Sequence, residues 1–469
     1  MKTRLTLILV TLLSVQVHAT NKIKYYFNKP VNTSVSKGVN AQYLNNCMGD
    51  TIVAYINRAK YTLDIAVYNY TSSFPLIATA VNSAHNRGVR VRWIYDFSSS
   101  NTGLSPLYLN ASINRLSSPN PGSDYFIMHN KFMVIDALST NPDDAIVWTG
   151  SSNWNTQQFN TDYNNSVVIQ HQPLAKAYRD HFNMMWGDTG IAPNLTLSKF
   201  GENKTDLGNH NFIIDGKQVE VYFSPADGVN SKILNAINSA NTDMYFGMST
   251  FTMNSLATQL VTKYNTGVYV AGINDTANDG NSPDGILYSG LGSSRYKVHN
   301  IAGIYHNKFL IVDASNKCSD PLVLTGSHNW TNSADTKNDE NTLIIHDDTA
   351  ANLFYQSFYA NFTQLGGSLT NIPDCDANSI DGVTTLTDDL SVFPNPSTGN
   401  VSIIYSVGNA SEVNISTYNM AGKLIQSYNN THVIAGEHNY ELQITTPGLY
   451  LVKMKTNAGV INRLLTVTQ

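Results

Sequence analysis

Apolar positions along most of this chain alternate between two periods. Residues 24–27 form a short strand-like run, and Ile52, Ile56 and Ala59 follow at helical spacing. Residues 63–68 (Leu-Asp-Ile-Ala-Val-Tyr) predict a buried strand. Pro75 then opens a helix whose apolar face carries Leu76, Ala80, Val81 and Ala84, and Gly88 supplies its left-handed stop. Residues 89–95 predict the next strand. Strand alternating with helix argues for an α/β layer fold on a mostly parallel or mixed sheet.

The path is then retraced. Ile233, Ile237 and Ala240 predict a helix, and residues 244–249 a strand. Leu256, Leu260, Val261 and Tyr264 predict a second helix ended by Gly267, and residues 268–273 the strand after it. Asp96 and Asp275 close corresponding strands at an offset of 275 − 96 = 179. So steady an offset implies two copies of one unit, joined near residues 196–216 where Gly, Asn, Asp and Lys crowd together.

The tail is of another class. Residues 374–389 have a linker's composition. Period-two runs at 401–406, 413–418, 440–444 and 449–454, divided by turns such as Ala421-Gly422 and Pro447-Gly448, predict a small all-β sandwich.

Within the duplicated unit one motif stands out. His129-Asn130-Lys131-Phe132 and His306-Asn307-Lys308-Phe309 are each followed by three apolar residues and an aspartate, Asp136 or Asp313, at an offset of 306 − 129 = 177. On a strand, alternate side chains share a face, so each histidine points the way of its lysine. Asp136 and Asp313, seven residues on, face the other way and are read as supports for the strand end. Behind each motif comes Gly-Ser-x-Asn-Trp: Gly150, Ser151, Asn153, Trp154 and Gly326, Ser327, Asn329, Trp330. Short uncharged donors after a glycine turn suit an oxyanion, and the tryptophans are read as core anchors. Two such units facing one another give a pocket with two His, two Lys, two Asn and two Ser. Lysines can neutralise a phosphate, one imidazole can attack phosphorus, and the other can protonate the leaving oxygen. The clustered carboxylates of a hard-metal site are missing from the motifs, so no required metal or other cofactor is expected.

These paired His-x-Lys-x4-Asp motifs, each followed by Gly-Ser-x-Asn, resemble the phospholipase D superfamily over roughly residues 22–365. The resemblance implies two pseudo-symmetric α-β-α phospholipase D-like repeats packed together, plus the β sandwich. It implies a metal-independent phosphodiesterase working through a covalent phosphohistidine. Carried over by motif, His129 is the nucleophile and His306 the general acid, with Lys131, Lys308, Asn153 and Asn329 binding phosphate. The family often places a carboxylate ahead of the strand after Gly-Ser-x-Asn. Glu340 fills that place in the second half, whereas its counterpart is Asn164, with Asp162 as a nearby substitute. The expectation is that Glu340 hydrogen-bonds the histidine of its own half, His306, and keeps it protonated.

The tail has its own resemblance. Phe393-Pro394-Asn395-Pro396, Gly399-Asn400, Gly422-Lys423 and Gly448-Leu449-Tyr450 are similar to the C-terminal sorting domain of type IX secretion. At the other end Lys2 and Arg4, an apolar run at 5–15 and Val17-His18-Ala19 predict a secretory signal peptide cut after Ala19. The expected organisation is therefore signal peptide 1–19, first repeat 20–200, second repeat 201–372, linker 373–389 and sorting domain 390–469. Export makes the protein secreted or surface-bound, and the expected partners are a phospholipid at a membrane surface and the type IX machinery. Both motifs in one chain predict a monomer.

Composition bears on the substrate. The formal net charge is −5, which loss of Lys2 and Arg4 takes to −5 − 2 = −7, and there is no Lys/Arg-rich run. A phospholipid diester is thus favoured over nucleic acid, whose binding relies on basic contacts. A nuclease of the same fold, or a phosphatidyltransferase, is the alternative. Among three cysteines, Cys318 with Cys375 is the expected pair if any forms.

Overall fold

The computed structural model describes residues 21–275, 282–316, 319–369, 389–407, 410–457 and 459–468. The signal peptide, the Cys318–Cys375 pair and nearly all of the linker lie outside the described residues. Cys47 is exposed and free. The chain forms two compact units, dividing between residues 375 and 376.

The larger unit holds two eight-stranded mixed sheets that share one connectivity except at one edge strand. In the first, Thr62–Val67 is central, with the parallel strands Arg90–Tyr95 and Asn114–Ser117 on one side. On the other side the antiparallel strands Lys131–Ile135, Ile146–Gly150, Asn165–Ile169 and Ile23–Phe27 follow in order, and Gln42–Tyr43 lies at the edge. In the second sheet Asp243–Met248, Tyr269–Asn274 and Tyr296–Val298 repeat the parallel half. Lys308–Val312, Leu322–Gly326, Glu340–His346, Lys217–Ser224 and Asn211–Ile214 repeat the antiparallel half. The central strands are buried throughout, which is why their sequences run apolar without alternation.

Helices fill three layers. Met48–Ile56 and Leu76–Asn86 cover the outer face of the first sheet, and Val229–Ser239 and Asn254–Asn265 that of the second. Gln172–Trp186 and Asp348–Gln364 lie in one continuous core with the inner faces of both sheets, including Phe132, Tyr178, Phe309 and Phe354. Trp154 and Trp330 are buried in the outer cores, each bridged to the end of the central parallel strand through Tyr70 or Phe251.

The aspartate of each motif holds its strand end. Asp136 and Asp313 adopt a left-handed backbone, φ 50° and 52°. The Asp136 carboxylate accepts the backbone N–H groups of Lys60, Tyr61 and Thr62 at 2.7–2.8 Å, and that of Asp313 those of Asn241, Thr242 and Asp243 at 2.7–3.2 Å. These carboxylates fix where the helix-to-strand loop enters the sheet. Gly150 and Gly326 make a close backbone approach, since a Cβ there would lie 2.3 Å and 2.2 Å from the carbonyl oxygens of Asn165 and Asn341.

The smaller unit, taken by itself, is a β sandwich. Asp389–Phe393, Asn400–Val407 and Gly436–Gln443 form one sheet; Leu424–Val433, Ser411–Asn419, Gly448–Lys455 and Val460–Val467 form the other. Leu390, Ile403, Tyr405, Ile415, Val452 and Leu465 lie in its shared core. Its first strand begins one residue inside the stretch assigned to the linker.

Replacing Asp136 by Ala would orphan three backbone donors, so the larger unit should lose about 3 kcal/mol, read from its denaturant midpoint. A loss under about 1 kcal/mol would show that water replaces the carboxylate at no cost.

Candidate active site

Each histidine lies just ahead of its strand, not on it: the strands begin at Lys131 and Lys308. The lysines turn back on the same segment. Lys131 Nζ donates to the carbonyl of His129 at 2.6 Å, and Lys308 Nζ to that of His306 at 2.8 Å. Asp96 and Asp275, at the ends of the neighbouring parallel strands, accept the N–H of Met128 (2.8 Å) and Tyr305 (2.6 Å), the residues before each histidine.

The two halves complete each other. His129 Nδ1 donates to the Glu340 carboxylate at 2.8 and 2.9 Å, with both side chains buried. His306 Nδ1 donates to Asn164 Oδ1 at 3.0 Å. The expectation that Glu340 serves His306 is therefore corrected: the carboxylate crosses to the other half. Packing two repeats face to face sets the strand end of one against the His segment of its partner, so correspondence in sequence becomes exchange in space. Asp162 does not substitute at the imidazole. Its carboxylate accepts the N–H of Ile304 at 2.9 Å and Gln158 Nε2 at 2.6 Å, fixing the backbone two residues before His306.

Ser151 and Ser327 act on these partners. Ser151 Oγ donates to Asn164 Oδ1 (2.8 Å) and Ser327 Oγ to Glu340 Oε2 (2.6 Å), while each accepts the next backbone N–H, from Asn165 or Asn341, at 3.1 Å. The serines thus hold the groups that hold the histidines. Asn153 and Asn329 have buried carboxamide oxygens that make no hydrogen bond. Half a turn of the amide would present the NH₂ that a phosphate oxygen needs.

Four asparagines and two threonines escaped the sequence reading. Asn165 Nδ2 donates to Asn307 Oδ1 (2.9 Å) and its Oδ1 accepts Thr325 Oγ1 (2.8 Å). Asn341 Nδ2 donates to Asn130 Oδ1 (3.1 Å) and its Oδ1 accepts Thr149 Oγ1 (2.6 Å). This buried exchange locks the register between the halves, and the identical Asn in both His-Asn-Lys triplets was its visible signal. Tyr68 was also missed. Its ring meets His129 edge-on at 5.1 Å and lies 5.2 Å from Lys131 Nζ, whereas Ser249 takes its place in the second half.

Electrostatically the pocket suits an anion. Burial, then the two lysine charges, holds both His129 and His306 well below the ordinary histidine range. Burial pulls Lys131 down to about 7, and burial with Lys131 beside it holds Lys308 well below the ordinary lysine range. Glu340 is raised by burial against the pull of Lys131. An anion bound among these four groups would favour their charged forms. Among the described residues the group of three close enough to share a cation is elsewhere, at Asp206, His210 and Asp227. Both ring nitrogens of that histidine are already engaged, by Val221 O and Asp206.

Comparison with known proteins agrees with this geometry. The family described as "Cardiolipin synthase, PLD-like domain" matches residues 52–186 and 233–362, and a secretion system C-terminal sorting domain matches 391–468. The chain belongs to the phospholipase D-like family and carries a C-terminal sorting domain. It is 33% identical over 132 residues to the mitochondrial cardiolipin hydrolase of Xenopus tropicalis, covering 28% of this chain and 56% of that one. It is 27% identical over 145 residues to a phospholipase D of Rickettsia prowazekii, covering 31% and 68%. The chain spans about half the length of the cardiolipin hydrolases it matches. In fold it is similar to the phosphatidylserine synthase of Haemophilus influenzae, with a TM-score of 0.50, 13% identity, and coverage of 73% of this chain and 86% of that one.

Anion binding must raise the lowered Lys131, so affinity is retained below its free value of about 7 and lost as the pH climbs above it. Sulfate, which does not titrate here, should bind up to about tenfold more weakly per pH unit above 7 by calorimetry, and Lys131→Gln should flatten that slope. A slope unchanged in the variant would place the titrating group elsewhere.

Proposed function

We propose that this protein is a secreted phospholipase D-type phosphodiesterase. It hydrolyses the head-group phosphodiester of phospholipids at a membrane surface through a covalent phosphohistidine, with no metal. The observation that carries the reading is the pairing of His129 with Glu340 beside two buried lysines and a second, carboxylate-free histidine. A carboxylate accepting Nδ1–H leaves the lone pair on His129 Nε2, free to attack phosphorus. As the N–P bond forms the imidazole becomes cationic, and Glu340 stabilises that charge. The bond from phosphorus to the head-group oxygen breaks, and this oxygen takes a proton from His306 Nε2, which the negative charge of the bound phosphate keeps protonated against the effect of burial. With only an amide at Nδ1, His306 gives up its proton more readily than it would beside a carboxylate. His306 then deprotonates water, which displaces His129 and releases phosphatidate. Lys131, Lys308, Asn153 and Asn329 hold the phosphoryl oxygens. His129 is thus assigned as nucleophile on the opposite ground from the sequence expectation, since it is the partner of Glu340.

Lipid is preferred to nucleic acid because the chain is net acidic and its matched family and relatives bear phospholipid names. The sorting domain supports delivery by type IX secretion to the surface or beyond, after removal of 1–19. Both motifs occupy one compact unit, which supports a monomer as the working form.

The test is to incubate the purified protein, with chelator present, with phosphatidylcholine or cardiolipin vesicles and with plasmid DNA. Head-group release with intact DNA supports the reading, and DNA cutting alone rejects it. Phosphatidyl transfer to added alcohol with no hydrolysis would make it a transferase. His129→Asn and His306→Asn should each lower turnover by at least about a thousandfold, and full activity in either removes that residue from the mechanism.

A further inference from the structure

The segment between the two halves reaches the site. Lys204 follows a short turn at Gly201–Asn203, and it is buried together with Asp339. Its Nζ is 2.7 Å from Asp339 Oδ1, and both side chains are 0% exposed. The same ammonium donates to the carbonyl of Ser224 at 2.5 Å, and Ser224 pairs with Glu340 in the sheet. Gly201 N–H adds a second bond to Asp339 Oδ1, at 3.0 Å.

Asp339 in turn grips the His129 segment by its main chain. Its carbonyl accepts His129 N–H at 2.9 Å and its N–H donates to Ile127 O at 3.0 Å. The next residue is Glu340, whose carboxylate holds the His129 ring. Two consecutive residues therefore fix the backbone and the imidazole of one histidine. The equivalent position in the first half, 339 − 176 = 163, is Tyr163, whose N–H donates to Ile304 O at 2.8 Å but which has no carboxylate to pair. On the Glu340 side, a fully buried ion pair to a lysine from the stretch joining the two halves therefore ties the strand start.

We propose that Lys204 is a positioning residue for His129, acting through Asp339. The proposal rests on His129 being the nucleophile. Lys204 touches no reacting atom; it sets the strand start that presents Glu340 and the His129 backbone together. Losing it leaves Asp339 charged and unpaired in the interior, or protonated and free to move. Either outcome loosens the ring that must meet phosphorus in line.

Wild type, Lys204→Met and the double variant Lys204→Met/Asp339→Asn are compared on bis(p-nitrophenyl) phosphate by stopped flow, with melting temperature and solvent exchange of the His129 Nδ1 proton followed by NMR. Glu340→Gln assigns that proton. Lys204→Met should slow the first-turnover burst by about tenfold or more, leave KM within about threefold, and speed exchange of the Nδ1 proton. The double variant removes the unpaired charge, so it should recover the melting temperature but not the burst. Recovery of both would reduce Lys204 to charge balance and overturn the proposal, as would unchanged burst and exchange in Lys204→Met. If wild type releases no p-nitrophenol the catalytic reading fails separately, and the exchange rate alone then decides whether Lys204 positions His129.

Discussion

The hydrogen bonds that orient the two imidazoles both cross from one half of the domain to the other, His129 to Glu340 and His306 to Asn164. The rest of the larger unit serves this crossing. A shared core of Phe132, Tyr178, Phe309 and Phe354 brings the sheets together. The exchange of Asn165 and Asn341 for Asn307 and Asn130 then fixes register. A sheet interface of apolar side chains alone can slide at small cost; one that would orphan four buried amides cannot. The aspartates at 96, 136, 275 and 313 hold the loops at either end of the motif strands. The geometry of the candidate site follows from these constraints, and it needs both repeats.

Much of this was legible in the sequence because the unit is written twice. An offset near 177 separated the functional residues from the general pattern, and the same offset marked Glu340 and Asn164 as an unequal pair. Strand and helix positions followed from burial, since the central strands are apolar on both faces. Two things were not legible. Spacing tells which residues correspond, but a pseudo-two-fold decides which of them meet, so Glu340 was matched to the wrong histidine. Period-two reasoning also placed both histidines on strands, where tertiary bonds from Asp339 and Asp96 instead hold His129 just before one. Asn130 and Asn307 were overlooked because amides beside a His-Lys pair draw less notice than the charges, although their repetition was in plain view.

The small departure from symmetry is where function acquires direction. Two equal histidines could exchange roles from one turnover to the next. In the proposed mechanism, one carboxylate against one amide would bias the cationic intermediate toward the ring that the carboxylate faces. Tyr68 in place of Ser249, and Lys204 behind Asp339, fall on the same side of the asymmetry. All three departures surround His129, the ring proposed to bond phosphorus.

The direct test exchanges the two partners without changing their size, Glu340→Gln with Asn164→Asp, and maps the trapped phosphoenzyme by peptide digestion. The account predicts label on His129 in the wild type and on His306 in the exchanged protein. Label that stays on His129 after the exchange would contradict it, and would mean that the roles are set by something other than the charge across the halves.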